Sequence, residues 1–269
     1  MVKNNRPKII FVLSGGGARG LAHLGVLEVL EKENIKPDAI VGTSIGALIG
    51  GLYAAGIDIV KAQEMALKIG RLQKILLFAS LPQKRGLIQG GRIEKLLKGF
   101  VGEKKIEDLD IPFYGVATDL KKGKRVIISK GSLVKAIRAS IAVPGIFTPV
   151  ERKDEILIDG GVIAPLPINI AYGLGADVVI ASDVSSVRGG VKISSSSGAI
   201  AILHRSLDIM MDLLSESVLS KNKEAIIIKP QVERIGWMDF ERAKEAIRLG
   251  RLAAKEKLNR CQAPPLKRA

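Results

Sequence analysis

Cysteine and aromatic side chains are both scarce in this chain of 269 residues. The single cysteine, Cys261, excludes an intrachain disulfide and any cysteine-based zinc site, and it suits a reducing compartment. Aromatics make up only 4% of the residues, which argues against the stacking platforms that grip single-stranded nucleic acid. Acidic residues are in deficit, 27 against 42 basic ones, leaving a net charge of +15. That imbalance points to an anionic partner: nucleic acid, a negatively charged membrane surface or an acidic substrate. The plainer reading is a lysine-rich surface that only keeps the protein soluble. The apolar run Ile9–Leu13 near the N-terminus is shorter than the roughly 7–15 residues of a signal-peptide core, so a cytoplasmic location is expected. Hydrophobic residues reach 47%, which excludes wholesale disorder.

One segment imitates a membrane span. Ala39 to Ile57 carries no charge and is about as long as a bilayer crossing, and it includes Gly46-x-x-x-Gly50. Yet Pro37 and Asp38 precede it, Thr43 and Ser44 interrupt it, and glycine recurs through it. A strand, a sharp turn and a buried helix fit better than a span. Elsewhere β-rich runs alternate with helical patterns, as in βαβ units. Strands are expected at Ile9–Leu13, Ala39–Val41, Phe113–Thr118, Arg125–Ser129, Ile156–Ile158, Val178–Ser182 and Ala225–Lys229. Helices are expected from Leu21 to about Lys32 and at Ile45–Ala55, Arg92–Lys98, Leu133–Ala142, Ile168–Leu174, Ala199–Ser220 and Phe240–Leu258. Gly189–Gly198 reads as a flexible surface loop, and the tail after Asn259 as frayed. A single α/β domain over 1–269 is the simplest organisation.

Gly15, Gly17 and Gly20 form G-x-G-x-x-G between a strand and a helix. This is dinucleotide-binding spacing, but the acid it requires should end the second strand, and Asp38 begins it. An anion hole is the better reading. Glycines let consecutive backbone N–H groups converge at a helix entry, and Arg19 adds a full charge beside them. A tight turn without chemistry remains the alternative.

Gly42-Thr43-Ser44-Ile45-Gly46 is G-x-S-x-G in the strand–turn–helix setting of a nucleophile elbow. A glycine-rich packing turn is the plainer alternative. A serine nucleophile needs a base. His204 follows Asp159 in the chain order of a Ser–Asp–His triad, but it flanks the helical stripe Leu203, Leu207, Met210 and Leu214. His23 lies one turn into the first helix. Helix-face and core-edge roles suit these two better. Asp159-Gly160-Gly161 stands where a strand emerges into a turn, so Asp159 is the remaining candidate. Desolvation beside the serine would raise its basicity. An ordinary Asp-Gly turn is again the alternative.

Together Gly15-Gly16-Gly17-Ala18-Arg19-Gly20, the Gly42–Gly46 serine motif and Asp159-Gly160-Gly161 resemble the patatin-like phospholipases, in that family's order. Ala117-Thr118-Asp119-Leu120, Arg138 to Val150 and Gly175 to Ala181 resemble family segments too. The resemblance covers about residues 8–184 and is closest to compact bacterial members, with 185–269 as an extension of the same domain. It implies a three-layer α/β/α sandwich around a mostly parallel sheet. It also implies a Ser–Asp dyad, with Ser44 as nucleophile and Asp159 as proton acceptor. Gly15, Gly16, Gly17, Ala18 and Arg19 would form the oxyanion hole, and Gly20, Gly42, Gly46, Gly160 and Gly161 would be motif glycines. The implied activity is hydrolysis of lipid acyl esters through an acyl-enzyme, with no metal or cofactor. Many members carry Asn shortly after the Asp-Gly-Gly turn, where this chain has Ala164-Pro165.

Two other functions compete: a catalytically quiet lipid-binding or scaffold protein, and a nucleic-acid binder suggested by charge alone, with no recognisable motif. For a lipid hydrolase the basic surplus would meet anionic head groups. Lys121, Lys122, Lys124 and Arg125 crowd one turn, and from Glu241 onward nine basic residues face three acidic ones.

Overall fold

The computed structural model describes residues 6–78, 90–187, 194 and 197–260. Among the described residues, eight strands form one sheet: β1 (Ile9–Leu13), β2 (Ala39–Thr43), β3 (Phe113–Asp119), β4 (Lys124–Ile128), β5 (Val150–Arg152), β6 (Glu155–Asp159), β7 (Val178–Ser182) and β8 (Ile226–Ile228). Eight α-helices among them accompany the sheet: α1 (Ala22–Lys32), α2 (Ile45–Ala54), α3 (Ile59–Phe78), α4 (Gly91–Val101), α5 (Leu133–Ser140), α6 (Ile168–Gly173), α7 (Ala199–Lys221) and α8 (Ala243–Arg260). The charge-free segment from Ala39 is strand, turn and helix, as expected. Among the described residues no helix is long and apolar enough to cross a membrane. The expected loop 189–198 is described only at 194, 197 and 198, and the tail beyond 260 lies outside the described residues.

The strand order is β5-β6-β3-β2-β1-β7-β8, with β4 also on β3. Pairings from β3 through β8 along this path are parallel, while β4, β5 and β6 join antiparallel. Strand β1 is fully buried, and its side chains alternate between two cores. Ile9, Phe11 and Leu13 join the core under α1, α2, α3, α5 and α8. Ile10 and Val12 join the core under α6 and the end of α7. The molecule is thus a three-layer α/β/α sandwich, the architecture expected of an unbroken apolar strand covered on both faces.

The sequence reading missed α3 and β5. A start signal for α3 exists: Asp58 precedes it, and its carboxylate accepts from the Lys61 N–H at 3.0 Å, a normal N-cap. The α1–α8 pair packs backbone to backbone. A Cβ at Gly25 would lie 2.0 Å from the Ile247 carbonyl oxygen, and one at Gly250 would lie 2.0 Å from that of Ala22. Alanine at either position gains helix propensity but forces the two helices apart. We expect Gly250→Ala to cost about 1–3 kcal/mol, the usual penalty of overpacking. A urea titration that leaves its midpoint unmoved would contradict this.

Candidate active site

Strand β3 brings the reactive residues together. Its residues 115–119 pair with β4, so both β2 and β6 must use the opposite edge. On that edge Thr43, the last residue of β2, pairs with Val116, while Asp159, the last of β6, pairs with Ala117. The two strands run toward each other and end one position apart. Ser44 follows Thr43 directly and therefore meets Asp159.

Ser44 adopts φ 55° and ψ −125°, a conformation rare for a residue with a side chain, on the turn into α2. The turn is tight because Gly46 touches the backbone behind it: a Cβ there would lie 2.2 Å from the Leu13 carbonyl oxygen. Ser44 Oγ donates to Asp159 Oδ2 at 2.5 Å, and Asp159 Oδ1 accepts from the Gly161 N–H at 2.7 Å. Both residues are buried. Burial pushes the Asp159 carboxyl up to about 6, against the bonds from Ser44 and Gly161, which pull it down. Ser44 can therefore pass its proton to a base that is ionised at neutral pH yet far more basic than a solvated aspartate, which leaves an alkoxide-like oxygen on the serine.

Three residues that the sequence reading did not single out fix this geometry. Ser140, at the end of α5, accepts from the Ser44 N–H at 2.9 Å and donates to the Val116 carbonyl at 2.6 Å. Thr43 Oγ1 donates to the Ala164 carbonyl, and Thr118 Oγ1 to that of Asp159 itself. All three lie in segments that carry the family resemblance, but no local pattern gives their role, since their acceptors lie 24 to 121 residues away.

The glycine loop lies beside the serine, with the Gly15 Cβ position 3.5 Å from Ser44 Cβ. It enters a 3-10 turn at Gly17–Leu21, which continues into α1. Its amides divide into two sets. The Gly15 N–H donates to the Pro165 carbonyl and the Ala18 N–H to that of Trp237. The Gly16 and Gly17 N–H groups have no acceptor among the described residues. Arg19 is fully buried, and its guanidinium pairs with Asp208 on α7 at 2.5 Å while Nε donates to the Gly16 carbonyl. Its charge, expected beside the amides, is thus spent on a carboxylate.

Neither histidine bonds Ser44 or Asp159. His23 is completely buried, with Nε2 3.0 Å from the Ser14 carbonyl and Nδ1 2.8 Å from Ser182 Oγ. Burial pushes its pKa down to about 4, so the ring is neutral, with Nε2–H donating and Nδ1 accepting. His204 lies on α7 as the periodicity predicts, stacked on Trp237 with centroids 4.5 Å apart. It nevertheless lines the cleft above the serine, together with Gly16, Val143, Met210, Met211 and Trp237. That cleft encloses about 30 Å³, room for a water or two.

A strained serine elbow on a mostly parallel sheet, joined to a buried strand-end aspartate, defines the chain as an α/β protein with a candidate Ser–Asp site. The chain belongs to the patatin-like phospholipase family, whose model matches residues 11–172. An uncharacterised NTE family protein of Mycobacterium tuberculosis is 32% identical over 92% of this chain and 46% of that protein. Another, from Mycobacterium bovis, is 36% identical over 70% of the chain and 52% of that protein. The lysophospholipase nte1 of Aspergillus fumigatus is 37% identical over 65% of the chain and 12% of that protein. The chain thus spans about half the length, or less, of these curated relatives. Among solved structures, VipD from Legionella pneumophila superposes with a TM-score of 0.52 at 17% identity, over 95% of this chain and 67% of that one, and shares the fold.

Proposed function

We propose that the protein is a serine acyl-ester hydrolase acting on phospholipid or lysophospholipid esters through a Ser44–Asp159 dyad. The observation that carries this reading is the 2.5 Å bond from Ser44 Oγ to a buried carboxylate with a raised pKa. Ser44 Oγ attacks the ester carbonyl while its proton passes to Asp159 Oδ2. The oxyanion is held by the unoccupied Gly16 and Gly17 N–H groups, at the positive end of the helical entry. The Asp159 acid then protonates the departing alcohol, and water cleaves the acyl-enzyme by the same steps. The lysophospholipase name of the fungal relative favours single-chain lipids within this substrate class. We place the enzyme in the cytoplasm, with its basic surplus drawing it to anionic membrane surfaces.

A fluorophosphonate probe tests the reading: wild-type protein labels at Ser44, and Ser44→Ala does not. Absence of labelling in the wild type would instead favour the catalytically quiet lipid-binding protein. The pH profile is a second test. Asp159 must be ionised to accept the proton, so kcat/KM on a p-nitrophenyl ester rises with pH and levels off above about 6. A flat profile between pH 5 and about 7, or an inflection at the usual carboxylate value, excludes Asp159 as the base.

A further inference from the structure

Helix α7 has apolar side chains on two sides. Its fully buried residues, Asp208, Asp212 and Ser215, are polar, and Leu207, Met211, Val218 and Leu219 are half-buried beside them. Its exposed residues include Ile202, Leu203, Ile209, Met210, Leu213 and Leu214, each between 37% and 60% accessible. At the helical turn of about 100° per residue, these six fall in one sector with Ser206 and Ser217, while Arg205, Asp208, Asp212 and Glu216 lie in the other. A surface helix in water has the reverse order, with its apolar stripe inward. The inward polarity has its own explanation, since Asp208 answers the buried Arg19. The outward apolarity does not.

Two observations say what covers this face. First, it is continuous with the cleft: Met210 belongs to it and also lines the cleft, beside Leu207, His204 and Met211 from the same helix. Helix α7 also packs on the turn Gly160–Val162 that follows Asp159. Second, its size and charge narrow the occupant. The six half-exposed side chains offer on the order of 500 Å², short of the ~800 Å² per partner that a stable dimer buries. From Ile202 to Ser217 the sector carries no charge, with Lys221 only at its far end, so it gives little for nucleic acid or an acidic peptide to grip.

We infer that the outward face of α7 docks on a lipid surface and seats the mouth of the cleft against the acyl chains. The inference rests on the lipid-hydrolase reading and adds to it a surface separate from the basic surplus. Attraction by charge fades with salt, whereas burial of α7 side chains persists in salt and on uncharged lipid.

The test is co-sedimentation of the full chain with vesicles of phosphatidylcholine alone, at about 0.5 M salt, where the screening length is only a few ångströms. Wild type and Ser44→Ala both bind, so failure of the hydrolase reading leaves this measurement standing. The triple variant Ile202→Ser, Ile209→Ser, Leu213→Ser partitions about tenfold less or weaker, given the apolar area removed. It hydrolyses a soluble short-chain ester within about twofold of wild type, because none of the three lines the cleft. Leu213→Asp alone, at the most exposed of these positions, shows the same direction should the triple variant fold poorly. Trp237, the only tryptophan, stacks on His204 of α7, so its emission shifts when wild type meets vesicles. Absence of wild-type binding to neutral vesicles, or equal binding by the variants, overturns the inference. So does light scattering that shows a dimer in wild type and a monomer in the triple variant, which assigns the face to a second copy.

Discussion

Asp159→Asn lowers ester hydrolysis by about 10²–10⁴-fold, the range a positioned general base contributes, and at the same time makes the protein more stable at pH 8. Both effects have one origin. Burial holds the Asp159 carboxyl at about 6 in the folded protein, well above its ordinary value of 3.8. The fold therefore binds this proton more tightly than the unfolded chain does. The stability the neutral carboxyl contributes is fully present below about pH 4 and is lost as pH rises through about 6. Above that, a desolvated carboxylate weighs against folding, and asparagine relieves it. Melting temperatures of the two proteins should therefore converge as pH falls from 8 toward 4. Ser44→Ala should remove about 10⁶-fold of the activity, while His204→Ala keeps most of it, since the ring bonds neither member of the dyad. Loss of activity in the histidine variant with survival in the Asp159 variant would refute the dyad.

Asp208→Asn should destabilise the protein by about 3–5 kcal/mol. The Arg19 guanidinium is wholly inaccessible, and Asp208 is its only charged partner among the described residues. Removing the carboxylate charge leaves a desolvated cation unopposed. At roughly 2–4 °C per kcal/mol for a protein of this size, the melting temperature should fall by about 6–20 °C. The double variant Arg19→Met, Asp208→Leu removes both charges and should be more stable than either single variant. Equal losses in all three would show that packing, rather than the ion pair, dominates. Because Arg19 also bonds the Gly16 carbonyl, the single variants should disturb the glycine loop and lower kcat even where the protein stays folded.

Most of the sheet was legible because its strands are short apolar runs buried on two faces. Strands β1 and β7 have the expected bounds, and the elbow at Ser44 lies between the expected strand and helix. Helix α3 was missed although its Asp58 cap was available as a signal. Edge strand β5, three residues with Glu151 exposed, has neither the length nor the alternation that marks a strand. In the sequence Arg19 reads as a charge for the anion hole because its neighbours are glycines. Its partner sits 189 residues on, where no local pattern announces it. The periodicity of α7 gives a helix with an apolar stripe, and the fold turns its Leu203, Met210 and Leu214 outward and Leu207 to the cleft.

The amino-acid sequence by itself determined the local pieces: which runs are strands, where glycine permits a sharp turn, and which serine and aspartate stand at strand ends. These depend on periodicity and on backbone freedom within a few residues. Only the tertiary structure decided that β2 and β6 end one position apart on the same edge of β3. It alone decided that Asp159 is desolvated, and that Arg19 points to Asp208. Strand register, burial and charge pairing arise between residues far apart in the chain, and free energies of that kind exist only once the chain has closed on itself.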